Sequence, residues 1–223
     1  MTVVDVSPRR KNRVAITLSP PPEANYEGAE YEGEKLLIDK LIAARCDIVK
    51  GAALSIADVK QLIFVSECYR AKERAVWLLS GQDYSEKALY NKLTKTYTKK
   101  AAAFAVAQMQ KKGYINDAKF AAALILKCKS KNMSKRQMAE KLAQNGISKE
   151  ISDRLLKVEE DLSATDAFRA AELIKNKYIN KIDNEEGRKK TFGALMRRGF
   201  SYSDIKKAFE AVTCSDCFEE EIF

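Results

Sequence analysis

A helix-ending motif occurs twice in this chain, as KLAQNGIS at residues 141–148 and as ALMRRGFS at residues 194–201. In both copies a helical stretch is followed by a glycine, an apolar residue and a serine. Glycine suits the left-handed turn that ends a helix. Serine suits the start of the next helix, because its hydroxyl accepts a hydrogen bond from a free backbone N–H. The motif therefore predicts successive helices joined by tight turns.

The motif belongs to a repeat of about fifty residues. A weaker third copy begins at Ser85, whose following residues match those after Ser134. Ser134 with Gln137, and Ser201 with Asp204, have the spacing of N-terminal helix caps. Each repeat has room for three short helices, and repeats of this length normally stack so that neighbours complete each other's cores. The predicted fold is all-α, an elongated, curved array of three tandem three-helix repeats.

The N-terminal part of the chain departs from the helical pattern. All four prolines precede residue 23, and the run Val14–Leu18, apolar except for Thr17, predicts one short β-strand followed by a polar, acidic loop. From Glu34 onward the apolar residues recur with helical spacing. The predicted divisions are residues 1–34 for an arm with the strand and loop, 35–66 for a leading helical segment, 67–116, 117–162 and 163–212 for the repeats, and 213–223 for an acidic tail.

Basic residues are concentrated in the middle of the chain. The formal net charge is +9, and residues 85–136 contain thirteen Lys and Arg against two acidic residues. Such a stretch favours a polyanion or an acidic protein surface as partner, although lysines also simply solubilise helix faces. The predicted partner-binding positions are Lys99, Lys100, Lys111, Lys112, Lys127, Lys129, Lys131, Lys135, Arg136, Lys189, Lys190, Arg197 and Arg198.

The sequence offers little for catalysis or metal binding. It has no histidine and no phosphate-binding G-x-x-x-x-G-K-[ST] motif. Cys214 and Cys217 lie in an acidic tail without the two further ligands of a zinc site, so we interpret their spacing as coincidence. Glu159, Glu160 and Asp161 occupy adjacent helical positions that do not converge on one substrate. We expect no catalytic residues, no metal site and no cofactor.

Other features concern compartment and single side chains. Five cysteines, no signal sequence and no apolar run of about twenty residues indicate a reduced, cytoplasmic protein without a membrane span. Trp77 is expected in the core beside its helix's apolar stripe, and Asp117 is expected to start a helix. Tyr90 and Tyr97 lie among lysines, so stacking on bases and packing between helices both stay open.

Several motifs resemble those of the RecX family. The segment GYINDAKFA at residues 113–121 is similar to the family's junction between the first two repeats, and MRRGFS at 196–201 is similar to the RRGFS signature of its last repeat. The early strand and KGAALS at 50–55 look like the leading segment of longer members. Three departures occur. Gln82-Asp83-Tyr84 precede Ser85 where members usually have an arginine, and Tyr97 replaces the first repeat's helix-ending glycine. Asn132 and Met133 precede Ser134, where a glycine is common.

The resemblance implies a non-enzymatic regulator of RecA, acting in DNA repair, the SOS response and homologous recombination. Members bind RecA and the RecA–single-stranded-DNA filament, in its groove or at its end, and inhibit recombinase, ATPase and coprotease activities. A monomer with weak direct DNA binding is the expected form. The basic residues alone leave two alternatives: a helical DNA-binding protein without a RecA partner, whose affinity would fall steeply with salt, and a helical adaptor for another protein.

Overall fold

The chain is mostly helical, with a small four-stranded sheet at its N-terminus. A computed structural model describes residues 1–21, 26–158 and 165–219. It contains two compact units, residues 1–116 and 117–223. Each unit is described below by itself.

The sheet of the first unit is antiparallel throughout, in the order β1-β2-β4-β3. Its strands are β1 (Thr2–Arg9), β2 (Arg13–Ser19), β3 (Glu30–Glu32) and β4 (Lys35–Asp39). Ile16, Leu36 and Ile38 are almost fully buried in one cluster with residues of the first helices. The central strands β2 and β4 thus provide the sheet's share of this core.

The strand predicted at Val14–Leu18 is confirmed within β2. The prediction missed β1, β3 and β4, and the segment 35–66, predicted to be helical, begins with β4. The β1 strand escaped detection because most of its side chains lie outside the core and Pro8 interrupts its apolar pattern. β3 has only three residues, two of them glutamates. The apolar run of β4 is too short for its periodicity to distinguish a strand from a buried helical turn.

Among its described residues the first unit also has four helices: α1 (Lys40–Arg45), α2 (Ile56–Gly81), α3 (Glu86–Leu93) and α4 (Lys99–Lys111). The buried face of α2 changes along its length. Val59 and Ile63 pack into the sheet's core, whereas Ala71 and Ala75 pack with α3 and α4. These two stripes lie about 120° apart around the helix axis at 100° per residue. One helix therefore serves two cores.

The described part of the second unit has six α-helices: α5 (Asp117–Lys129), α6 (Lys135–Gln144), α7 (Lys149–Val158), α8 (Asp166–Leu173), α9 (Glu185–Arg197) and α10 (Tyr202–Glu219). One core contains residues of α5, α6 and α7, and a second contains residues of α8, α9 and α10. A π-helical turn, Ile174–Tyr178, and a short 3-10 turn, Ile179–Lys181, follow α8. A side chain at Gly187 would overlap the carbonyl oxygen of Lys181, so this approach requires glycine.

The predicted helix ends are confirmed. The hydroxyls of Ser134 and Ser201 accept hydrogen bonds from the backbone N–H groups of Gln137 (3.2 Å) and Asp204 (3.1 Å). The two helix-ending glycines of the repeated motif have positive φ, Gly146 (80°) and Gly199 (83°), and so has Gly113 (73°), which follows α4. Asp117 begins α5, as expected. The count of three repeats, their curved arrangement and the domain boundaries stay predictions. Within the described ranges, no helix is long and apolar enough to cross a membrane.

Candidate partner-binding surface

The four predicted binding lysines of the first unit lie at the two ends of α4. Lys99 and Lys100 form its first turn, while Lys111 ends it and Lys112 is its C-terminal cap. All four are exposed. Twelve residues of helix separate the pairs by roughly 18 Å, so they form two charged positions on one rigid element.

Five of the predicted residues lie where α5 ends and α6 begins. Lys127 and Lys129 belong to the last turn of α5, Lys131 lies in the connecting turn, and Lys135 and Arg136 open α6. Because the turn is short, all five charges are carried by one corner of the second unit. Lys129 is half-buried. Burial, and then the positive charge of Arg169, lower the pKa of its ammonium group.

Asp166 organises the inner side of this corner. Its carboxylate accepts a hydrogen bond from the backbone N–H of Lys135 (3.0 Å) and forms an ion pair with Arg169 (2.6 Å). Both charged side chains are largely buried, at 19% and 11% exposure, so the pair is better shielded from solvent than a surface salt bridge. The carboxylate thus caps the start of α6 and joins α6 to α8.

The α9–α10 turn lies directly against the start of α6. The Ser134 hydroxyl donates to the backbone carbonyl of Arg198 (2.6 Å), and a Cβ on Gly199 would approach the Arg136 side chain to 3.1 Å. The structure therefore brings the predicted residues Lys135 and Arg136 together with Arg198.

A groove of about 390 Å³ lies beside this contact, with mixed charge in its walls. Its lining includes the cations Lys135, Arg136 and Lys157, and the carboxylates Asp153, Asp166 and Asp204. It is therefore less positive than the sequence alone indicates.

Lys189 and Lys190 lie elsewhere, one to two turns into α9 and roughly 12 Å along the helix from Arg197. They form i,i+4 ion pairs with Glu185 and Glu186, each at 2.6 Å. Their side chains are 75% exposed, so these pairs hold the lysines only weakly. The structure does not bring them to the α5–α6 corner, and the glutamates reduce the local charge.

Three aromatic side chains that the sequence singles out differ in their exposure. Tyr90 and Tyr97 are half-buried against the core of α2, α3 and α4, so packing accounts for both. Trp77, expected in the core, is 62% exposed on α2. The expectation was wrong because the buried face of α2 changes midway. A single apolar face assumed for the whole helix assigns the wrong residues to the core in its second half.

Reactive groups are few among the residues that the structure describes. No three of their Cys, Asp and Glu side chains form a group that could hold a metal ion. Burial raises the pKa of the Cys68 thiol to about 11 and also raises the pKa of Cys128, which disfavours the reactive thiolate. The carboxylates at 159–161 lie outside the described residues, and nothing is described of the side chains of Cys214 and Cys217.

Comparison with known proteins gives consistent matches. The family model for the RecX third three-helix domain matches residues 167–209, from α8 into α10. Regulatory protein RecX of Trichlorobacter lovleyi is 28% identical over 150 residues, covering 65% of this chain and 95% of the relative. Regulatory protein RecX of Streptococcus pneumoniae is 29% identical over 180 residues, covering 80% of this chain and 69% of the relative.

Two solved structures share the fold. A crystal structure of regulatory protein RecX aligns with a TM-score of 0.62 at 17% identity, covering 95% of this chain and 98% of the other. RecX from Lactobacillus salivarius aligns with a TM-score of 0.57 at 18% identity, covering 66% of this chain and 97% of the other. At these identities the solved structures support the architecture alone.

Proposed function

Because the chain belongs to the RecX family, we propose that it is a non-enzymatic regulator that binds RecA and the RecA–single-stranded-DNA filament and inhibits the recombinase, ATPase and coprotease activities of RecA. Family membership is the observation that carries this proposal. The proposed setting is the bacterial cytoplasm, where the protein would act as a monomer in DNA repair and the SOS response.

The distribution of charge supports the proposal. A nucleoprotein filament presents DNA phosphate together with protein carboxylates, and exposed cations on rigid helix ends complement both. Such charges chiefly raise the association rate and set the register of binding, whereas apolar contacts prolong the complex. Under this proposal the α5–α6 corner is the main electrostatic contact, with Arg197 and Arg198 beside it. Lys189 and Lys190 contribute less because two glutamates already neutralise them.

The helix order fits three stacked units under the same proposal. α2 to α4, α5 to α7 and α8 to α10 each contain three helices and their own buried cluster. Under this proposal the end of α4, the α5–α6 corner and the end of α9 belong to three successive repeats.

The test is the single-stranded-DNA-dependent ATPase of the cognate RecA, titrated with the protein. We expect loss of turnover well below one molecule per RecA protomer if the protein caps or disassembles filaments, and near one per several protomers if it lies along the groove. No inhibition at excess protein would refute the proposal.

A charge-reversal variant tests the surface within the same assay. Lys127→Glu, Lys131→Glu and Arg136→Glu combined should abolish inhibition with unchanged helicity. The matched control is Lys206→Glu with Lys207→Glu, which reverses two exposed lysines of α10 outside the predicted set and should inhibit like the wild type. Full inhibition by the triple variant would remove the α5–α6 corner from the proposal.

Direct DNA binding is the competing function, and the basic residues alone favour it equally. It predicts tight binding to an oligonucleotide without RecA, with the logarithm of affinity falling steeply and linearly with the logarithm of salt concentration. A regulator that acts through RecA predicts only weak binding under those conditions.

A further inference from the structure

A cluster of basic residues lies at the turn between the first two strands, and the proposed function does not use it. The sequence there is Arg9-Arg10-Lys11-Asn12-Arg13. Arg9 ends β1, Arg13 begins β2, and the three residues between them form the turn. Arg10, Lys11 and Asn12 are all exposed. The end of this hairpin therefore consists of five consecutive residues without an apolar side chain.

The turn is connected to the start of the first helix. The backbone N–H of Lys40 donates a hydrogen bond to the carbonyl of Asn12 at 2.9 Å. Lys40 is the first residue of α1 and is itself exposed. The start of α1 therefore adds a third exposed cation to the two in the turn.

Lys11 has a backbone conformation that does not favour lysine. Its φ is 58°, and so is that of Asn12. Asparagine is enriched among non-glycine residues at positive φ, whereas lysine is uncommon there. The stability of the turn alone would favour asparagine or glycine at both positions. A role of the Lys11 charge in binding accounts for a residue that the turn itself does not prefer.

Two glutamates of β3 would oppose an anion here, but both are already paired. Glu32 forms an ion pair with Arg9, and Glu30 is shared by Arg13 and Arg70. These five side chains together carry one net positive charge, so the flanks of the turn do not repel an anion.

The remaining cations have no acidic partner. Within the part of the chain that the structure describes, Arg10, Lys11 and Lys40 form no ion pair. Asp39 precedes Lys40, but it is 6% exposed, and its carboxylate accepts a hydrogen bond from the backbone N–H of Leu41 at 2.9 Å. The three exposed cations are therefore available to an anionic partner.

We propose that Arg10, Lys11 and Lys40, hereafter the hairpin-tip patch, bind the phosphate backbone of double-stranded DNA. Protein interfaces have a buried apolar core, and residues 9–13 offer no apolar side chain for one. Single strands are bound by aromatic side chains that stack on their bases, and residues 9–13 contain none. A duplex also carries twice the charge of a single strand per unit length, which favours it as the partner of a compact group of cations.

This inference goes beyond the proposed function, because a duplex can bind to the patch without RecA. The contact is weak at physiological salt, since non-specific binding to DNA typically has a dissociation constant of about 10⁻⁴–10⁻⁶ M. It is therefore compatible with a regulator that acts mainly through RecA.

The test is the fluorescence anisotropy of a labelled double-stranded oligonucleotide, titrated with the full chain without RecA at salt concentrations from about 50 to 200 mM. Each neutralised phosphate contributes about 0.9 to the slope of the logarithm of affinity against the logarithm of salt concentration. Arg10→Gln with Lys11→Asn should therefore reduce the slope by about 1.8, so that the wild type loses about twelvefold more affinity than the variant over this range. Lys40→Gln alone should reduce it by about 0.9.

The variants are chosen to keep the fold. Lys11→Asn places at φ 58° a residue that tolerates positive φ better than lysine does. The matched control is Lys87→Gln with Lys92→Gln, which removes the same charge from two exposed lysines of α3 in the same unit. The control should have the slope of the wild type.

The inference is wrong if the wild type does not bind the duplex at low salt, if the hairpin variant keeps the wild-type slope, or if the control loses as much slope as the hairpin variant. A loss of affinity in the hairpin variant for a single strand of the same length, with duplex binding intact, would assign the patch to single-stranded DNA and overturn the proposal.

Inhibition of the RecA ATPase, measured on the same proteins, separates this inference from the proposed function. A wild type that binds the duplex through the patch but does not inhibit RecA refutes the proposed function alone. A hairpin variant that keeps its duplex slope but loses inhibition would show that the patch contacts the protein of the filament, and the assignment to DNA would then be wrong.

Discussion

Replacing Gly199 with alanine is expected to destabilise the second unit more than the same change at Gly113 destabilises the first. Both glycines end a helix with positive φ, 83° and 73°. Alanine in this left-handed conformation costs about 1–2 kcal/mol. A Cβ at Gly113 meets nothing within 4 Å, so that variant carries this conformational cost alone.

At Gly199 the new Cβ would lie 3.1 Å from the Ser134 hydroxyl oxygen and 3.1 Å from Cδ of Arg136. Either neighbour must move, and the 2.6 Å bond from Ser134 to the Arg198 carbonyl lengthens. Loss of such a bond adds about 0.5–1.5 kcal/mol. We therefore expect a total of about 1.5–3.5 kcal/mol for Gly199→Ala and about 1–2 kcal/mol for Gly113→Ala.

Urea unfolding measures both free energies, with circular dichroism for the whole chain and the fluorescence of Trp77 for the first unit. In a Ser134→Ala background, Gly199→Ala should cost about 0.5–1 kcal/mol less than in the wild type, because one of the two close contacts is gone. If Gly199→Ala costs no more than Gly113→Ala, or if the double-mutant cycle shows no coupling, the inferred contact between the α9–α10 turn and α6 is absent in solution.

Three further outcomes follow from buried groups. Glu67→Ala should lower the free energy of unfolding by about 3 kcal/mol in urea titration. The Glu67 side chain is 3% exposed, and its carboxylate accepts two hydrogen bonds of 2.7 Å from Thr98 at the start of α4. A loss below about 0.5 kcal/mol would contradict this role. Gly187→Ala should reduce the melting temperature and the helical signal, because the added methyl overlaps a backbone carbonyl; an unchanged melting curve would show that the approach is relaxed. At pH 8 a maleimide should label the exposed Cys46 rapidly and Cys68 and Cys128 slowly, as burial raises the pKa of both buried thiols; equal rates in peptide mapping would indicate frequent opening of both cores.

Helix ends could be predicted from the sequence because their signals are local. A serine cap and a glycine turn involve neighbouring residues only, so Ser134, Ser201 and Gly199 were placed correctly. Strand pairing is not local. β2 finds its partner β4 about twenty residues later, and the alternation that would mark the edge strand β1 is broken by Pro8 and by a bulge after Val3. The sheet was therefore largely missed.

The positions of the exposed basic residues could be predicted from the sequence, but their contacts with distant acidic residues could not. Exposed lysines follow from composition and helical spacing, and the α5–α6 corner follows from their density. The carboxylate of Asp166 reaches Lys135 across 31 residues, and such contacts leave no periodic trace. Trp77 was misplaced because α2 exchanges one buried face for another, which a stripe averaged over its length does not reveal.

The change of buried face in α2 has a consequence for how the first unit gains its stability. The fully buried apolar side chains of α2 up to Ile63 pack with the sheet, and those from Cys68 onward pack with α3 and α4. Both halves nevertheless belong to one continuous ladder of backbone hydrogen bonds. Unfolding of the sheet would therefore expose the apolar side chains in the first three turns of α2. Those turns would lose their packing partner, and the helix that packs against α4 would become shorter. Because α2 contributes side chains to both cores, the N-terminal strands and the helical core should unfold in a single cooperative step.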